Sequence, residues 1–271
     1  MLLAGRDRFV SSYSRTSKAP DPSAVASQGQ AEVNQQRVQG QEKKQDSQRH
    51  VQTMGETTSM SDYHINWLFP QPVGYNKLDR EFTKEELRFI KERSRSKNTG
   101  NYDTKDSYVL NNPELSDLKA DMQTLVDAHF QNVYKPLPDV KLVVTQSWAN
   151  YTNKDEYHHT HYHQNSFLSG VLYIQTNPNN TDQIRFHDPI RNQFALTCTE
   201  WTALNSDSWR LQVENGVVFL FPSFLQHDVP KVEGNTERTS IAFNTFFDGR
   251  IGDADSKTEL FLRSNVFNVE G

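Results

Sequence analysis

EYHHTHYHQNSFLSGVLYI, residues 156–174, is the stretch that decides the fold. Its second half, from Leu168, is an apolar run with aromatic and β-branched members. It is too short for an ordinary helix and reads as a buried strand. Its first half crowds four histidines together: His158, His159, His161 and His163. On a regular strand successive side chains alternate, so His159, His161 and His163 share one face and His158 points the other way. Two His-x-His pairs are therefore available, His159 with His161 and His161 with His163. Strand geometry does not choose between them. Either pair makes half of a metal site, and the plain alternative is a surface cluster of histidines.

A second stretch, GVVFLFPSFLQHDVPKVEGNTERTSIAFNTF at residues 216–246, answers the first. An apolar run ends in Phe221-Pro222-Ser223, His227 follows, and a turn-rich linker leads to Arg238 and Ser240 at the start of another strand. His227 reads either as a satisfied histidine at the edge of the core or as a third metal ligand. Three facial ligands leave positions open on a metal for other molecules. Arg238 and Ser240, two residues apart, share a strand face, and a guanidinium beside a hydroxyl suits a carboxylate. Asp188, in RFHDP, is a minor alternative ligand. The commoner role of an Asp before Pro is to cap a turn.

Taken in order, the motifs resemble one family. Leu68-Phe69-Pro70, Trp148-Ala149-Asn150, His161 through Tyr173, Phe186-His187-Asp188-Pro189, Phe221-Pro222-Ser223 to His227, and Arg238 to Asn244 are similar to the pattern of the Fe(II)/2-oxoglutarate-dependent oxygenases. More narrowly, they resemble the small oxygenase family common in phages and marine bacteria. The resemblance covers about residues 64 to 248 and selects His161 with His163, because Gln164-Asn165-Ser166 follows and leads into the strand. It implies a mainly β fold with flanking helices, a double-stranded β-helix (jelly-roll, cupin-like) barrel. It also implies His161, His163 and His227 as metal ligands. Arg238, Ser240, Asn150 and Tyr173 would lie around the co-substrate, with Ser169 a further candidate for the pocket wall. Trp148 reads as core, and Asn244 as a structural hydrogen bonder.

The cofactors so implied are Fe(II), 2-oxoglutarate and O2. The reaction so implied is hydroxylation of a substrate C–H bond with release of succinate and CO2. The chain departs from the wider class at His163, where most members carry Asp or Glu. A neutral imidazole there raises the charge of the site by one unit and makes the metal harder to oxidise. Three imidazoles suit Fe(II), and also Zn and Cu. The competing readings are a three-histidine cupin-type enzyme that does not use 2-oxoglutarate and a non-catalytic jelly-roll binding module. The substrate is unidentified; a small molecule or a protein side chain fits the class.

The chain has 271 residues, a net charge of -5 and a mean hydropathy of -0.78. No basic stripe argues for nucleic acid, and no apolar run is long enough to span a bilayer. The single cysteine, Cys198, excludes a disulfide within the chain and fits a reducing cytoplasm, the host's if the gene is a phage's. Oligomeric state is not legible. Residues 1–62, with SQGQAEVNQQRVQGQEKKQDSQRH inside them, are expected to be a disordered Gln-rich leader, and Met60 is a second possible start. Residues 63–271 are expected to form the oxygenase domain, with a helical layer at 80–135, a jelly-roll core at 140–248 and a C-terminal arm at 249–271. Thr83 and Glu86 form a capping-box pattern. Pro113 opens a helix whose face is marked by Leu115, Leu118, Met122, Leu125, Val126 and His129.

Overall fold

A computed structural model describes residues 64, 66, 68–179, 182–190 and 197–263. The expected leader at 1–62 lies outside the described residues, as does the end of the expected C-terminal arm. The chain divides into residues 1–66 and 67–271, and every helix and strand described below lies in the second unit. No helix among the described residues is long and apolar enough to cross a membrane.

Twelve strands and two α-helices are described: β1 (Gly74–Lys77), α1 (Lys84–Lys91), β2 (Arg95–Lys97), β3 (Tyr102–Thr104), α2 (Ser116–His129), β4 (Val140–Thr152), β5 (His158–His161), β6 (Leu168–Gln175), β7 (Gln183–His187), β8 (Ser208–Gln212), β9 (Val217–Pro222), β10 (His227–Val229), β11 (Arg238–Ile251) and β12 (Leu260–Leu262). The larger sheet runs β1-β9-β6-β11-β4-β3-β2, with β12 also on β11, and the smaller runs β5-β10-β7-β8. All ladders are antiparallel. From β4 to β11 the chain passes back and forth between the two sheets, which is the jelly-roll course expected from the sequence. The expected barrel does not close: no ladder joins the two sheets among the described residues.

Alternation in the central strands sorts side chains into two cores. Leu168, Leu172, Ile174, Val218, Leu220, Ile241 and Phe243 face outward and pack with Phe89 and Ile90 of α1 and with Leu118, Met122 and Val126 of α2. Val171, Tyr173, Phe219 and Phe221 face inward and meet Ile184 and Phe186 of the smaller sheet. Both faces of β6 and β9 are thus covered, which is why they read as continuous apolar runs. Gly170 sits where the Phe243 ring leaves no room; a Cβ there would lie 2.1 Å from Cζ.

The helix signals hold. Thr83 caps α1, with its hydroxyl accepting from Glu86 N and the Glu86 carboxylate accepting from Thr83 N, an arrangement that contributes about 1 kcal/mol. Pro113 opens a 3₁₀ turn, Pro113–Leu115, that leads into α2. A π turn, Phe130–Tyr134, ends α2, closed by Lys135 at φ 48°. The last part of the C-terminal arm that is described is strand β12, which pairs with β11.

Candidate active site

Register brings two of the histidines together. His227 on β10 stands directly opposite His161 on β5. His163 lies just past β5, where its N–H donates to Ser223 O at 2.9 Å. Asn165, at φ 53°, turns the chain back into β6, a conformation that Asn tolerates better than most residues. The ligating nitrogens of His161, His163 and His227 all lie within 4.8 Å of one another, and the Nε2 atoms of His161 and His163 are 3.3 Å apart.

Each of the three rings has its other nitrogen committed. His161 Nδ1 lies 2.8 Å from His159 O, and His227 Nδ1 lies 3.0 Å from Leu225 O. Both are the same local device, a ring donating to the carbonyl two residues back. His163 Nδ1 is 2.6 Å from Asn244 Oδ1 and 2.9 Å from Ser169 Oγ. With the proton held at Nδ1, the lone pairs fall on the converging Nε2 atoms. Ser169 Oγ in turn donates to Asn244 Oδ1, and Ser223 links Ser169 to Ser166. Asn244, expected only to brace the strand, therefore orients a candidate ligand.

Burial keeps these rings neutral. It is the main cause that lowers His161 and that brings His163 down to about 4 despite its bond to Asn244. His227, almost wholly buried, is held well below its usual range by the same cause and by its histidine neighbours. Neutral imidazoles are the form that binds metal.

His158, His159 and His161 also bring their nitrogens within 4.8 Å, so both His-x-His pairs survive as clusters sharing His161. They differ in what they face. His161, His163 and His227 line the cleft that contains Arg238, whereas His159 lines the outer side of the smaller sheet. The expectation that His158 points away from the site is wrong. His227 pairs with His161 but Val229 pairs with His158, so β5 carries one extra residue there. That bulge breaks the alternation and turns His158 into the cleft, stacked on His161 with ring centroids 4.4 Å apart. Burial brings its pKa down to about 3.

The polar half of the cleft comes from three neighbouring strands. Ser240 on β11 is opposite Asn150 on β4 and Tyr173 on β6, and Arg238 lies two residues away on the same face. All four are buried. Arg238 donates from Nη1 to Gln183 O at 3.3 Å, its Nε has no partner, and no ion pair forms on it among the described residues. Burial lowers its pKa. Nearby Asp182 is already bound to the Asn177 main chain and side chain. Asn150 Oδ1 is likewise buried without a partner. Such groups are costly unless something polar meets them.

Other sequence assignments resolve cleanly. Trp148 is not core: with Asn150 it faces the cleft, its ring 5.4 Å from that of His163. Tyr151 faces the opposite way and its hydroxyl donates to Ile90 O. Asp188 is not brought to the histidines. It accepts from Ile190 N at 2.8 Å, a turn cap. Asp228, next to His227, faces the other side of the sheet. Burial alone would raise its pKa, but bonds from Arg185, His187 and Thr160 bring it lower.

Residues 146–244 match the 2OG-Fe(II) oxygenase family, whose model is described as "Putative 2OG-Fe(II) oxygenase". Every histidine, arginine and polar residue of the cleft lies inside that matched segment. Among solved structures the chain is similar to a 2OG-Fe(II) oxygenase family oxidoreductase from Burkholderia pseudomallei, with 14% identity over 59% of this chain and 74% of that one and a TM-score of 0.43. HygX from Streptomyces hygroscopicus, with nickel, 2-oxoglutarate and hygromycin B bound, has 13% identity over 64% and 82% and a TM-score of 0.43. A prolyl-4-hydroxylase of Pseudomonas putida has 17% identity over 67% and 94% and a TM-score of 0.41. No curated protein matches the chain.

Proposed function

We propose that this protein is a mononuclear Fe(II)- and 2-oxoglutarate-dependent oxygenase that hydroxylates a C–H bond of its substrate. One observation carries the reading. Three neutral imidazoles bring their free ring nitrogens together, beside a buried arginine that forms no ion pair among the described residues. The donor set fits a divalent transition metal, and the orphaned Arg238 Nε–H, a buried cationic donor, fits an anionic co-substrate.

His161, His163 and His227 would hold the iron. Arg238 and Ser240 would bind the far carboxylate of 2-oxoglutarate, with Asn150 and Tyr173 flanking it. When bound, Fe(II) and 2-oxoglutarate supply O2 activation, coupled to oxidative decarboxylation of the co-substrate to succinate and CO2. The chain's own work is positional. Asn244 and Ser169 keep the His163 proton on Nδ1 and its lone pair on Nε2. Trp148 and Phe221 wall the imidazoles against water. The oxygenase domain is taken to span residues 63–271.

The test is anaerobic titration of the apoprotein with Fe(II) and then 2-oxoglutarate, following the visible charge-transfer absorption of the chelate. The expected result is a band in the wild type that weakens in Arg238→Ala. Iron binding with no band on adding 2-oxoglutarate would reject the co-substrate. Absence of iron binding would reject the enzyme altogether.

A further inference from the structure

His163 walls a second cavity as well, of about 560 Å³. That volume lies within the range of small-molecule sites. Its lining differs in kind from the Arg238 cleft. Phe167, half-buried and packed on Phe130 and Phe247, forms the base, with the exposed Tyr134 ring 4.9 Å from it. Tyr162 and Phe224 form the rim, 48% and 56% exposed. Tyr162 lies between the two candidate ligands of the His-x-His pair, so this rim is tied by one residue to the site on either side.

Not one lining residue is an Asp, Glu, Lys or Arg. Gln71 and Ser166 are the polar side chains other than His163 and the Tyr hydroxyls. Ser166 Oγ is spent on Leu168 O and on Ser223. An ion seated here would shed water and find no opposite charge. A flat apolar ring would find four aromatic side chains to pack against.

We infer that this cavity is the substrate site, and that it takes an uncharged small molecule carrying an aromatic or comparably flat apolar ring system. The word substrate rests on the oxygenase reading; the binding chemistry does not. His163 is then the residue shared by a polar chamber for the anionic co-substrate and an aromatic chamber for the molecule to be oxidised.

The probe pair is 2-naphthol and 2-naphthoate, which share a ring system and differ in charge at neutral pH. Ligand-observed NMR titration of the full chain is expected to show 2-naphthol binding at least ten-fold more tightly than 2-naphthoate. Phe224→Asp puts a carboxylate on an already exposed rim, where the fold tolerates it, and should weaken 2-naphthol at least ten-fold. Phe224→Leu should keep most of the affinity. Equal binding of the two probes, no binding of either, or an unaffected Phe224→Asp would overturn the inference. The 2-oxoglutarate absorption band, recorded on the same preparations, separates the two readings. A band retained by Phe224→Asp while the naphthol preference fails overturns only the cavity assignment. A naphthol preference without any band in the wild type supports the cavity and overturns the oxygenase.

Discussion

Arg238→Met should make the apoprotein more stable and the loaded protein inert. Arg238 is 3% exposed and holds one long bond, from Nη1 to Gln183 O at 3.3 Å, with Nε stranded and the Tyr173 ring 5.6 Å away. Replacing a buried, poorly compensated charge by an apolar side chain of similar reach typically stabilises by about 1–4 kcal/mol, and Met fills the space left by the arginine stem. Losing the Gln183 bond offsets about 1 kcal/mol of that. The net expectation is a gain of about 0–3 kcal/mol, or up to roughly 12 °C in Tm for a domain of this size. Co-substrate binding moves the other way. Two charge-assisted bonds from a guanidinium contribute about 3–5 kcal/mol, so 2-oxoglutarate affinity should fall of order 10²–10³-fold. The assay is thermal unfolding of wild type and variant with and without metal and 2-oxoglutarate. The two curves should cross, with the variant higher alone and the wild type higher when loaded. A variant apoprotein that melts lower than wild type would refute the reasoning, because Arg238 would then be a structural residue and not a charge waiting for an anion.

Three further outcomes are expected. Asn244→Ala should lower metal affinity about 10-fold, toward the weak end of the 10–100-fold usual for such partners, because Ser169 Oγ remains near His163 Nδ1; isothermal titration with Ni(II) on Asn244→Ala and on Asn244→Ala/Ser169→Ala should show the pair costing more than the single change. Gly170→Ala should destabilise by about 1–3 kcal/mol, since its Cβ meets Phe243, and Phe243→Leu should restore part of the loss in urea unfolding. Apoprotein stability should rise with pH between about 4 and 6.5. His163 titrates near 6.5 when unfolded and near 4 when folded, so the unfolded chain binds more protons in that window. His163 alone corresponds to about 3 kcal/mol, present above 6.5 and lost as pH falls through 4, and the lowered His158, His161 and His227 act in the same direction. A flat or inverted stability profile over that window would contradict it.

How much of this was legible beforehand depends on what is local. Capping chemistry at Thr83 and Glu86 and the short apolar runs of β6 and β9 are written in neighbouring residues, and both carried over into the fold. The pairing of His161 with His227 is a register between distant strands, which no local pattern encodes; motif order supplied it. His158 was misplaced because a bulge, a property of two paired strands, resets the alternation of one. Trp148 was misread as core because its size suggests burial, whereas its even number on β4, shared with Asn150, puts it in the cleft. Asn244 sat in a quoted motif, but its task needed the position of a ring 81 residues away in sequence.

The placement of His163 has a mechanical consequence. His161 and His227 belong to the smaller sheet, whereas His163 is moored through Asn244 and Ser169 to β11 and β6 of the larger one. No hydrogen-bonded ladder fastens the sheets to each other among the described residues. A single ion gripped by all three imidazoles would thus act as a rivet through both layers. The short strands β5 and β10 should breathe in the apoprotein and fall silent on loading, which amide hydrogen exchange would register as protection spreading from the histidines along the edge of the smaller sheet.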